Sequence, residues 1–197
     1  MPKPDDVDPL AMLAADRDLA RQRQDPCAEL CTLATVDAAG HPQARTVVLR
    51  DLEGRLAIFI NDTSPKWQQM SLSASLAVVV WLPTQEVQYR LQCDTRPVAR
   101  PLVHDRWRLR QEVPKRMDWF YTRVQSQSSV VAGRERLLDD LAALTLREPL
   151  EAPRTATGVF LEPFVVERLA LAQPNGVHDR RQYQRRPDGW HATVLVP

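Results

Sequence analysis

From Gln85 to Cys93 the chain alternates strictly: Val87, Tyr89, Leu91 and Cys93 fall on one side, Gln88, Arg90 and Gln92 on the other. A period of two is the spacing of a strand with one packed face, and no helix gathers those side chains together. Short β-branched and apolar runs recur on either side of it. Leu30 to Val36 is closed by Asp37-Ala38-Ala39-Gly40, Gln43 to Arg50 by Asp51-Leu52-Glu53-Gly54, and Arg55 to Asn61 follows, so consecutive hairpins are predicted. Leu76 to Leu82 is continuously apolar and reads as a strand buried on both faces. Four more strands are expected at Thr155 to Glu162, Phe164 to Leu171, His178 to Arg185 and Trp190 to Val196, with Gly189 marking the last turn.

Helical spacing interrupts this pattern three times. After a polar leader, Asp8-Pro9 opens residues 8–24, where Leu10, Leu13, Ala14 and Leu19 are spaced for one helix face. Ser64-Pro65 has the form of a helix start running to about Ser73, with a serine to cap free N–H groups and a proline where its missing N–H costs nothing. Residues 101–147, with Trp107, Trp119, Phe120 and Tyr121 among charges, fit two or three helices. The expected fold is therefore mainly β (a β-rich α+β chain): one domain over residues 1–197, an antiparallel barrel with peripheral helices, which strands from 155–197 complete.

Composition narrows the function. The 26 basic and 25 acidic residues nearly cancel, so no whole-molecule field draws the chain to nucleic acid or an anionic membrane, and no apolar run approaches a membrane span. An anion must be held by a local cluster. Only Lys3, Lys66 and Lys115 are lysines, and arginine, which supplies the other basic residues, suits forked recognition of phosphate. Cys27, Cys31 and Cys93 form no close pair, which argues against a disulfide framework and against a metal centre, and for a reducing cytoplasm. Dinucleotide, P-loop, zinc-protease and serine-hydrolase signatures are absent from the sequence.

What remains is a set of cationic and amide residues at strand ends. Arg45 and Arg50 bracket RTVVLR, and an offset of five in a regular strand puts them on opposite faces, about 17 Å apart. They cannot grip one phosphate; with a twist or bulge between them they can attend two ends of an elongated ligand, while the intervening backbone meets its edge. Lys66, in the first turn after Ser64-Pro65, adds charge where helix-end N–H groups favour an anion, though a surface lysine beside an ordinary cap reads the same way. Gln88 offers the donor and acceptor that a heterocyclic ring needs, or belongs to a solvated strand face. The basic, aromatic segment from His178 to Trp190 would suit nucleic acid if the total charge were not near zero.

These segments together resemble the FMN-dependent pyridoxamine (pyridoxine) 5′-phosphate oxidases and their split-barrel relatives. RTVVLR is similar to that family's Arg-x-x-Leu-Leu-Lys strand, FINDTSPK to its Phe-Tyr-Thr-Asn-x-x-Ser-Arg-Lys segment and EVQYRL to its Glu-x-Gln-Val-Arg strand. PNGVHDRRQYQRRPDGWHATVLVP follows its ending, Pro-Asn-Arg-x-His-Asp-Arg, then Tyr, Arg, Trp and Leu-x-Pro. The resemblance implies a divergent FMN-binding split barrel acting as a homodimer with FMN at the interface and a small-molecule substrate. It assigns FMN contacts to Arg45, Thr46, Val47, Val48, Leu49, Arg50, Phe59, Ile60, Ser64, Lys66, Gln88 and Arg180, and substrate-side roles to His178 and Arg50. The implied reaction is a two-electron oxidation of a carbon bearing an amine or alcohol, with O2 as acceptor. A flavin- or haem-binding protein and a nicotinamide-dependent flavin reductase are the alternatives. The departures are Gly176 for the family's substrate-phosphate arginine, Arg50 for its strand lysine, Pro65 for the arginine before its helix lysine, Ile60 for a threonine and Ala170 for a tryptophan. The region of Trp107, Lys115, Arg116 and Trp119 does not reproduce its Ser-Arg-Pro and Ser-Gln stretch.

Overall fold

The computed structural model describes residues 7–72 and 75–197; the leader before Val7 and the end of the second predicted helix at Ser73 lie outside them. In chain order the elements are α1 (Pro9–Gln22), β1 (Leu30–Val36), β2 (Pro42–Val48), β3 (Arg50–Leu52), β4 (Arg55–Asn61), α2 (Pro65–Leu72), β5 (Ser75–Leu82) and β6 (Val87–Pro97). Then come α3 (Arg100–Arg108), α4 (Glu112–Arg123), α5 (Arg134–Ala143), β7 (Ala156–Ala170), β8 (Asp179–Arg186) and β9 (Gly189–Val194). The sheet runs β2-β1-β5-β6-β7-β4-β3, every pairing antiparallel, with β8 and β9 added beyond β7. Its two end strands, β2 and β3, are consecutive in the chain. A sheet whose ends are joined by a single residue must curl on itself, and the fold is a split barrel.

That residue is Leu49, fully buried, where the predicted single strand Gln43 to Arg50 breaks. Its N–H donates to the Glu29 carbonyl (2.9 Å) and its carbonyl accepts from Arg17 (3.1 Å). Arg17 corrects the predicted face of α1. The buried stripe is Pro9, Leu13, Arg17 and Ala20, while Ala14 and Leu19 are exposed. A fully buried arginine holds this stripe because its guanidinium also donates to the Ala28 carbonyl (3.1 Å) and to Asp51 (2.5 Å), so its charge and donors are satisfied.

β6 behaves as its alternation predicts: Val87, Tyr89, Leu91 and Cys93 are buried. β5 does not follow its apolar run. Leu76, Val78, Val80 and Leu82 are buried, but Ala77 and Trp81 face outward in the single chain. The two strands expected around Pro163 are one, β7, whose pairing with β6 shifts between Gln92 and Cys93, opposite Val165 and Pro163. Phe164 is the extra residue of a bulge there, the position in a sheet where a proline without N–H is tolerated. The bulge lets β7 pair with β4 over 156–161 and with β8 over 165–170. The region 101–147 forms α3, α4 and α5; α3 buries Val103 against the β3, β4 and β7 end of the barrel, and its Trp107 is buried as well. Cys31 and Cys93 are buried free thiols, and burial pushes Cys31 up to about 12.

Candidate functional site

A cleft of about 1070 Å³ opens along the seam of the barrel, between the free edge of β2, the end of β4, the start of α2 and a wall made by α3 and α4. Because the chain turns at Leu49, Arg45 and Arg50 both line it, together with Thr46, Val47, Val48, Phe59, Ile60 and Lys66. Leu49 itself points into the core and is not part of the lining.

Arg45 is held by its surroundings: it donates to Thr35 Oγ1 (2.5 Å), to the Leu33 carbonyl (3.3 Å) and to Gln69 Oε1 (2.8 Å), while Thr35 also donates to Gln69 (2.7 Å). Lys66 Nζ donates to Gln127 Oε1 (3.3 Å). Burial lowers the pKa of Arg45, and burial and the charge of Arg45 lower that of Lys66. Among the described residues neither cation has a carboxylate partner. Two half-buried, mutually repelling cations without an acid are a costly arrangement that an anion would relieve. Ser64 departs from its expected role as a cap. Its hydroxyl is fully buried and has no hydrogen-bond partner among the described residues, and the helix entry is organised instead by Asn61 Oδ1, which accepts from Thr63 N–H (3.1 Å) and Oγ1 (2.8 Å). Ser64, expected to contact FMN, is buried behind this end of the cleft and does not line it, whereas Pro65 and Lys66 do.

The α3–α4 wall was not anticipated as part of the site. It contributes Arg106, Trp107, Leu109, Arg110, Val113, Met117, Asp118 and Tyr121, and the loop after α4 contributes Gln127 and Ser128. Asp118 is buried; it accepts from Trp107 Nε1 (2.8 Å) and pairs closely with Arg110, and Asn61 Nδ2 lies 3.5 Å from it. Burial raises its pKa, against the pull of Arg110 and Trp107. The available signal was Gln125-Ser126-Gln127-Ser128, four amide and hydroxyl residues directly after a helix.

Gln88, His178 and Arg180 are elsewhere. Gln88 stands opposite Trp81 and Leu169 on the outer face of the sheet, Arg180 is bound to Glu167 (3.0 Å), His178 is exposed before β8, and none lines the cleft. Gly176 sits at φ +72° in the turn from Gln173 to Val177. That left-handed backbone favours glycine, so an arginine there would have to bear strain to reach a ligand.

Residues 13–98 match the family described as "Pyridoxamine 5′-phosphate oxidase, FMN-binding domain". The pyridoxine/pyridoxamine 5′-phosphate oxidase of Chromohalobacter salexigens is 30% identical over 195 residues, covering 90% of this chain and 83% of that one. The enzyme of the same name from Microcystis aeruginosa is 28% identical, covering 84% and 78%. Among solved structures, PhzG of Burkholderia lata in complex with tetrahydrophenazine-1-carboxylic acid superposes with a TM-score of 0.80 at 21% identity, over 100% of this chain and 97% of that one. A pyridoxamine 5′-phosphate oxidase-related, FMN-binding protein of Nostoc punctiforme gives 0.77 at 20% identity, over 97% and 99%. The chain thus belongs to the FMN-binding pyridoxamine 5′-phosphate oxidase family of split barrels, and its cofactor is FMN.

Proposed function

We propose that the protein is an FMN-dependent oxidoreductase that oxidises a carbon bearing an amine or alcohol by two electrons, with O2 as acceptor and a substrate other than a vitamin B6 phosphate. The observation that carries this reading is the pair Arg45 and Lys66, without a carboxylate partner among the described residues, at one end of the cleft, which suits the phosphate of FMN. Bound FMN supplies the two-electron acceptor. Arg45 and Lys66 bind its phosphate, the β2 edge from Thr46 to Val48 meets the ring edge, Phe59 and Ile60 wall it, and Arg50, beyond the Leu49 turn, attends the substrate side. Leu49 acts only by placing its neighbours.

A homodimer accounts for the residues left outside the cleft. The outer sheet face carries Ala77 and Trp81 of β5 and Leu169 of β7 beside Gln88 and Arg180. Trp81 is 37% exposed, as expected of a face covered by a second copy. That copy would deliver Gln88, His178 and Arg180 to this chain's cleft. Buried free thiols suit a reducing cytoplasm.

The purified protein should show flavin absorption, or acquire it on adding FMN; a chain that takes up no flavin would sink the proposal. Peroxide release with pyridoxamine 5′-phosphate is expected to be weak, because position 176 offers no cation. Anaerobic bleaching by NADH or NADPH would move the assignment to a flavin reductase. Phe59 gives a further test of the cleft. Its ring lies over Gly158, where a Cβ would stand 2.9 Å from Phe59 Cδ1. Gly158→Val should force that ring toward the cleft, cost about 1–3 kcal/mol in urea unfolding and weaken FMN binding in a fluorescence titration.

A further inference from the structure

Among the cleft's charges, almost all beyond the Arg45 and Lys66 end are already answered from within the protein. Asp51 is taken by Arg17 and Arg21 (2.5 Å each). Arg110 is paired with buried Asp118. Arg50 lies 3.6 Å from Glu29, a loose pair because Glu29 is bonded to Arg21 at 2.5 Å. Arg106, exposed on α3, lines the cleft with no partner among the described residues. If a second copy brings its His178 segment to this cleft, it brings Gly176 and an Arg180 already shared with Glu167. A phosphate monoester dianion would meet the unpaired Arg106 and an Arg50 loosely shared with Glu29, where forked recognition by several free donors is wanted.

The same wall is apolar and wet. Leu109 is 76% and Val113 65% exposed, yet both face the cleft alongside Pro114, Met117 and Tyr121. Large aliphatic side chains gathered in a concave site gain most from a ligand that removes them from water, and such pockets hold apolar ligands oriented by a few polar groups. Methionine adapts to the outline of a ring, and tyrosine presents a flat face.

Resting on the oxidoreductase reading, we infer that the α3–α4 wall selects a flat, largely apolar ring compound with a single negative charge, such as an aromatic carboxylate, seated on Leu109, Val113 and Met117 with its anion at Arg106. The probes are 2-naphthoate and pyridoxal 5′-phosphate, titrated by calorimetry into the protein with and without added FMN. The expected result is that 2-naphthoate binds at least ten-fold more tightly than pyridoxal 5′-phosphate. Arg106→Ala should weaken naphthoate five-fold or more with FMN affinity unchanged, and Val113→Asp should abolish naphthoate binding. Equal or tighter binding of pyridoxal 5′-phosphate, or no naphthoate binding in either form, overturns the inference. FMN uptake is measured separately by quenching of flavin fluorescence. Failure there counts against the oxidoreductase reading, while the loss of naphthoate binding in Arg106→Ala and Val113→Asp, titrated flavin-free in an Arg45→Ala/Lys66→Ala background that removes the phosphate end, still decides what the wall selects.

Discussion

Replacing Arg45 and Lys66 together by alanine is expected to weaken FMN binding by about 10²- to 10⁴-fold, since each charge-assisted contact to a phosphate contributes about 1.5–3 kcal/mol. The fold should survive. Thr35 and Gln69 bond to each other at 2.7 Å independently of Arg45, and the double variant loses two half-buried cations, of which Arg45 weakens the hold of Lys66 on its proton. The variant should therefore melt no earlier than the parent in the absence of flavin. Quenching of flavin fluorescence measures the affinity, and an unchanged dissociation constant would remove this end of the cleft from the FMN site.

The second large effect is expected at Arg17, which does not itself line the cleft. Arg17→Ala should destabilise the protein by about 3–5 kcal/mol, the cost of breaking a buried, fully bonded ion pair. It strips donors from the carbonyls of Ala28 and Leu49 and leaves Asp51 to Arg21 alone. Arg17→Met, which keeps the packed length, should recover part of the loss but not the carbonyl bonds. Urea unfolding reads both, and a midpoint shift worth less than about 0.5 kcal/mol for the alanine variant would show that the guanidinium is dispensable. Because the Leu49 carbonyl is where β2 turns into β3, Arg50 should also lose its place, so a folded Arg17→Met protein is expected to bind FMN more weakly than the parent.

Much of this architecture was legible in the residues themselves. The alternation of Val87 to Cys93 is a packing pattern and survives intact in β6, and the turn at Asp37 to Gly40 carries its own chemistry, with Asp37 accepting from the N–H groups of Ala39 and His41 and Gly40 at φ +85°. Periodicity failed where a polar group does a core residue's work. No hydrophobic pattern marks Arg17 as the centre of a buried stripe, because its burial depends on acceptors 11 to 34 residues away. It failed again at β5, whose apolar outward face answers to something other than this chain's own core. Pro163 suggested a break between two strands, whereas a bulge absorbs it. At the site, Arg45, Arg50, Phe59, Ile60 and Lys66 came together in the seam through one turn of the backbone. The α3–α4 wall could not be read, since only tertiary contact sets Asp118 between Trp107, Arg110 and the end of β4.

The unpaired edge of β2 carries a liability as well as a site. Among the described residues β2 pairs only with β1, so the seven residues Pro42–Val48 present their other row of backbone groups to the cleft. An open row of that kind is a template for a foreign strand. A cofactor lying along it would act as a guard on the edge, so cells short of riboflavin are expected to accumulate this protein as aggregate rather than as folded, flavin-free chain.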